Sequence, residues 1–286
     1  MTAAEHKRPM PLGYEPPEAG SSAYVAFEEA YWELFQFLAF VLHVSSIADE
    51  LRSRISQMRD ILTQVPSNGG KPDASDDAAT VATFAQALED QNRFIFETLT
   101  VRGVDNYLTY LKDILYLICR AKPEVLRSKK LVRMDLVLNF TDMTDLVDAL
   151  AERTVQDLSY GSLYDLADFF EDRLGLRIAK NASDLSHLVI LVEIRNLIVH
   201  NRGIVNAVFL KKTATAIKIL GSELKANWKI GDTIDFGAGQ KGMSFLAKSA
   251  HLIDTEASAK FSLEQVAAYV VGQNVPDFVK DENEQS

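Results

Sequence analysis

The chain has 286 residues, with 30 Lys+Arg against 40 Asp+Glu and a formal net charge of -10. Hydrophobic residues make up 47%, which excludes wholesale disorder and supplies ample material for a core. The acidic balance excludes attachment to nucleic acid by the overall field, so any polyanion must meet a local basic site. A single cysteine, Cys119, excludes an internal disulfide and a cysteine-built zinc site, and fits a reducing cytoplasm.

Residues 1–22 carry Pro9, Pro11, Pro16 and Pro17 and no apolar run of the export type, so a flexible tail is expected. From Ala23 to about Val65 the spacing is helical, with Phe27, Tyr31, Leu34, Leu38 and Val41 leading on through Ile47, Leu51, Ile55 and Met58. Its densest apolar stretch, Leu34–Val44, falls short of the roughly 20 residues a membrane span needs, and no membrane contact is expected. A linker is expected at about 66–76, where PSNGGKPDASD stands. A second long helix is predicted over about Asp76–Ala121, ended by Pro123. Three more follow: one from near Asp142, one over about Ser162–Leu174 capped by Gly175, and one starting after Ser183 or Asp184 and running to about Asn201, closed by Gly203. After Asn206 the texture changes. ATAIKIL and WKIGDTIDF are rich in Ile and Thr and bounded by glycines, which predicts a small β element. Helical spacing resumes near Met243–Thr255 and Ser262–Gly272, and 273–286 is a polar tail. Residues 23–206 thus form a helical body and 207–272 a small α+β appendix.

The helix Asp184–Gly203 carries most of the information. Its apolar residues cover nearly its whole circumference, which marks it as central and buried. Yet Glu193, Arg195, Asn196 and His200 lie within it, and buried charges are costly unless paired or used. Glu193, Asn196 and His200 share one face, with Arg195 about 140° round from His200. A second feature is Arg120–Arg133, RAKPEVLRSKKLVR, the strongest basic cluster in an acidic chain. With Arg127, Lys129 and Lys130 it is a candidate RNA-phosphate contact, and a solvated face is the competing reading. No phosphate-binding loop, dinucleotide fingerprint, H-E-x-x-H or G-x-S-x-G motif is present, and no cofactor or metal is expected.

Arg195-Asn196-Leu197-Ile198-Val199-His200 matches the R-(polar)-x3-H signature of the HEPN superfamily, and EIRNLIVHNRG resembles its bacterial members. The resemblance covers mainly residues 85–206. It implies an antiparallel helical bundle that usually dimerises and, in many members, a metal-independent endoribonuclease of toxin–antitoxin, abortive-infection or RNA-processing systems. The residues suit that chemistry. Histidine titrates near neutrality, so His200 is the candidate general base or acid toward the 2′-hydroxyl and the leaving 5′-oxygen. Arg195 offers paired donors to phosphoryl oxygens. Asn196 is a candidate for orienting the imidazole or binding phosphate, and Glu193 for holding Arg195 or Asn196. In relatives silenced by a nucleotidyltransferase antitoxin a tyrosine commonly follows the histidine by two. Here that position is Arg202, a further candidate phosphate ligand or a helix C-terminal charge.

Two expectations therefore stand side by side. One is a homodimeric HEPN-type ribonuclease binding RNA at a local groove, with a possible antitoxin or other protein partner. The other is a non-catalytic, dimeric HEPN-like interaction or regulatory protein, in which Arg195 and His200 close a structural network.

Overall fold

The computed structural model describes residues 19–64, 75–127, 134–159, 161–224, 227–234 and 237–267. The tails 1–18 and 268–286, most of the expected linker, and Lys129 and Lys130 lie outside the described residues. Among those described the chain is mainly helical. Helix α1 spans Ser22–Gln64, α2 Ser75–Ala121, α3 Met134–Leu138, α4 Met143–Ser159, α5 Leu163–Phe169, α6 Ala182–Asn201, α7 Ala207–Leu220 and α8 Gly237–Phe261.

Each boundary has a local cause. Pro123 follows α2 and opens a short 3₁₀ turn, Pro123–Leu126, because proline has no N–H to continue the ladder. Ser162 begins α5 with a reciprocal capping box to Asp165. A π turn, Phe170–Leu174, extends that helix and ends at Gly175 in the left-handed region (φ 57°). Asn181 caps α6 by accepting from the Asp184 N–H at 2.8 Å, so α6 starts slightly earlier than its sequence predicts.

Among the described residues, neither ATAIKIL nor WKIGDTIDF forms the expected β element. ATAIKIL lies inside α7, whose Phe209, Thr213, Ala216 and Leu220 recur at helical spacing on one buried face. Three-to-four spacing overrides the β-branched composition, because burial along a helical stripe outweighs intrinsic strand preference. WKIGDTIDF is irregular through Ile234, with one isolated bridge between Ile204 and Thr233. It pins the exit of α6: Val205 N–H donates to Asp232 O, Gly231 N–H to Val205 O, and Ile234 N–H to Gly203 O. The segment 207–261 is no separate appendix, since Phe209, Leu220, Ile234, Leu246 and Ile253 belong to one core with α2 and α6. The described strands are β1, Ala19–Gly20, and β2, Val266–Ala267, paired antiparallel. Residues 19–22, expected in the tail, therefore already belong to the fold.

Helix α2 is the central pillar, packed against α1, α4, α6 and α8. Its Tyr107, Leu111, Ile114, Leu115, Ile118 and Cys119 are fully buried, and the Tyr107 hydroxyl bonds Ser249 of α8. Phe27, Tyr31 and the first turns of α1 complete the core, with Asn106 Nδ2 donating to Phe27 O at 3.0 Å. Beyond that, α1 runs on alongside α2 as an antiparallel arm. His43 lies on this arm and is exposed, rather than packed in the core as its apolar neighbours suggest.

The start of α1 is tied to α8 by a buried carboxylate. Ser21 donates from its hydroxyl and its N–H to Asp254, and accepts from the Tyr24 N–H at 3.2 Å. Burial raises the Asp254 carboxyl above its ordinary 3.8, against the lowering effect of the Ser21 bonds. The native state therefore holds this proton more tightly than the unfolded chain. The favourable contribution is complete below the unfolded value and is lost as pH rises through the raised native one. The difference in Tm between Asp254→Asn and wild type is accordingly expected to move in favour of Asn as pH rises above the ordinary carboxyl range. A difference independent of pH in thermal melts would contradict this origin.

Candidate functional site

Helix α6 is buried along most of its length, as its sequence predicts, and its polar residues go to three different places. Glu193 is buried on the side facing α7, where Lys212 Nζ donates to its Oε1 at 3.3 Å. It does not hold Arg195 or Asn196. An unpaired carboxylate there would be costly, so Glu193 serves the α6–α7 contact.

Arg195 and Asn196 face the other way. They line a pocket of about 150 Å³ between α2, α4, α5 and α6, with Leu108, Leu115, Val155 and Leu166 as its apolar wall and Lys112 as a second cation. Arg195 Nη2 pairs with Asp105 of α2 at 2.7 Å, and Nη1 donates to Asn196 Oδ1 at 3.1 Å. Its Nε is buried and has no acceptor among the described residues. Two contacts fix the plane of the guanidinium; Nε is closed off from solvent, and the 24% of the side chain that stays exposed is what a further acceptor oxygen meets. Asp105 and Lys112 went unmarked in the sequence. They lie some 90 residues upstream in an ordinary amphipathic helix, and only the antiparallel packing of α2 on α6 brings them to Arg195.

His200 stands in the last turn of α6 and is exposed. It is about 7.5 Å along the axis from Arg195 and about 140° round, and it does not line the Arg195 pocket. Exposed Val199, Ile204 and Val208 surround this end of α6. Arg202 follows in the left-handed region (φ 55°), with Gly203 beside it (φ 71°). The Arg202 carbonyl accepts from Arg93 Nη2 at 3.1 Å, while Arg93 Nε also binds Glu97 at 2.8 Å. Arg202 is thus the C-cap, its side chain outward, and a side chain at Gly203 would be strained by its φ of 71°. The α6 terminus therefore carries His200 and Arg202 with Arg93 close by, in an otherwise acidic protein.

The described part of the basic cluster, Arg120–Arg127, does not join this end. Arg120 pairs with Asp148 at 3.1 Å, and Arg127 is exposed, its carbonyl accepting from Arg173 Nη1 at 3.0 Å. Arg120 lies about 22 Å farther along α2 than Asp105, at 1.5 Å per residue. Among the described residues, no group of three or more His, Cys, Asp or Glu side chains is placed to hold a metal ion, and no helix is long and apolar enough to cross a membrane.

Comparison with known proteins gives no match to a family model, to a curated protein or to a solved structure.

Proposed function

We propose that this chain is a HEPN-type, metal-independent endoribonuclease of the cytoplasm, acting as a homodimer in a toxin–antitoxin or antiphage setting. One observation carries the reading: Arg195 is held in a pocket wall by Asp105 and Asn196 with part of its side chain still exposed, on the same helix that exposes His200. In one protomer these two groups face different ways. A two-fold pairing of α6 ends through Val199, Ile204 and Val208 supplies the missing juxtaposition, since an isologous contact doubles every group it contains. His200 of one chain then takes the 2′-hydroxyl proton, the 2′-oxygen bonds phosphorus, the P–O5′ bond breaks, and His200 of the partner subunit protonates the 5′-oxygen. Arg195, with Lys112 near it, receives the charge that grows on the phosphoryl oxygens. Arg202 is a phosphate contact at the rim.

The Asp105–Arg195 ion pair also favours the second reading, a non-catalytic dimeric regulator in which Arg195 only braces α2 against α6. End-group analysis separates the two. Cleavage of RNA by the pure protein is expected to persist in EDTA and to leave 2′,3′-cyclic phosphates. A strict Mg²⁺ requirement or 3′-hydroxyl products would refute this mechanism, and absence of cleavage over a broad RNA panel would leave the regulator.

A further inference from the structure

Helix α1 carries two apolar faces, and its own fold uses one. Tyr31, Leu34, Leu38, Val41 and Ile55 are shielded along the arm, the side that packs on α2. The second face starts at Phe37 and continues through Phe40, half-buried Val44, Ile47, Leu51, Arg54 and Met58, in steps of 3, 4, 3, 4, 3 and 4. Phe37 is 45% exposed, Phe40 46%, Ile47 45%, Leu51 46% and Met58 59%. Scattered surface hydrophobes need no explanation. A strict alternation of threes and fours over three heptads does, because it is the seam that one helix presents to another. The seam has one polar layer, Arg54, which pairs with Glu50 of its own chain.

We infer that the outer part of this face, from Val44 onward, pairs antiparallel with the same face of a second copy of this chain, joining two arms into a four-helix bundle and leaving Phe37 and Phe40 beyond the paired stretch. The charge pattern selects both occupant and direction. In a parallel pair Arg54 would meet Arg54 of the other chain within the seam, like charge against like. In an antiparallel pair whose dyad passes between positions 52 and 53, Ile47 faces Met58 of the partner subunit and Arg54 faces Leu51 of the partner subunit. That register brings each Arg54 beside Glu50 of the partner subunit, so two arginines and two glutamates form a neutral cluster at the dyad. The chain supplies its own counter-charge at the one layer that needs it, which a foreign helix would have to provide by design. This contact is independent of the ribonuclease reading. Its dyad lies out on the arm, so alone it makes a dimer, and together with an α6 contact it makes a closed tetramer when the two dyads cross at right angles.

The test is the mass of the full chain by sedimentation, with and without Leu51→Glu and, separately, Ile47→Glu. Each variant is expected to halve the assembly, tetramer to dimer or dimer to monomer, with helical circular dichroism retained because both positions face away from the body. Cysteine pairing checks the register, since the native Cys119 is buried. Under mild oxidant, Ile47→Cys mixed with Met58→Cys is expected to give a covalent mixed dimer in excess of either self-linked species. Self-linking of Ile47→Cys alone would overturn the antiparallel register. A mass unaffected by both glutamate variants would overturn the pairing and leave the face to another protein's helix. Because the readout is mass and cross-linking, a chain that cleaves no RNA still tests it.

Discussion

His200→Ala is expected to lower the rate of RNA cleavage by about 10²- to 10⁴-fold, the usual contribution of a positioned general acid or base. The fall should appear in kcat, because the imidazole acts on protons in flight and contributes little to ground-state affinity. The side chain is exposed and lines no part of the Arg195 pocket, so its removal leaves the core intact and the circular dichroism helical. Arg195→Ala should cost about 10²- to 10³-fold, as for loss of one oxyanion donor. Its structural cost is small, about 1 kcal/mol, since the Asp105 carboxylate it abandons is more than a third exposed. Arg195→Lys keeps the charge but loses the planar fork that bridges Asp105 and Asn196, and should recover only part of the rate. Full activity in a folded His200→Ala chain would remove its role.

Ile114→Ala is expected to destabilise the fold by about 2–5 kcal/mol, the range for truncating a large buried aliphatic side chain. Ile114 is fully buried in the C-terminal third of α2, the helix that packs on α4, α6 and α8. No neighbour can close over the gap without giving up contacts elsewhere. Against a typical total of about 5–15 kcal/mol this is a large share. Leu51→Ala, on the outer face of the arm, should change protomer stability by less than about 0.5 kcal/mol. Equal losses at the two positions in denaturant titrations would contradict the division into a packed body and an outlying arm.

How far the sequence reaches can be judged residue by residue. The long helices, their proline and glycine stops, and the buried character of α6 follow from spacing and capping chemistry, and they match the helices observed. Composition misled at ATAIKIL, where Ile and Thr suggested strand while Phe209, Thr213, Ala216 and Leu220 had already set a helical stripe. The two faces of α1 read as one continuous period, because Ile47, Leu51 and Met58 interleave with Ile55 at spacings that only the position of α2 resolves. At the candidate site, Arg195, Asn196 and His200 were visible as a motif, but the wrong neighbour was expected for Arg195. Glu193 is two residues away in sequence and on the opposite side of the helix, whereas Asp105 and Lys112 arrive by tertiary packing. Local spacing ranks residues along a helix; which partner helix covers each side is decided by the whole core.

The central claim is that Arg195 and His200 work together only across two copies of α6. It is tested most directly by titrating wild-type protein with an excess of His200→Ala chains, after subunit exchange, and following cleavage per wild-type chain. With one shared cleft, each mixed dimer lacks one of its two histidines, so the rate per wild-type chain should fall toward that of the variant as mixed dimers replace wild-type ones. A rate per wild-type chain that stays constant throughout the titration, with exchange verified, would mean that each protomer holds a complete site, and would contradict the claim.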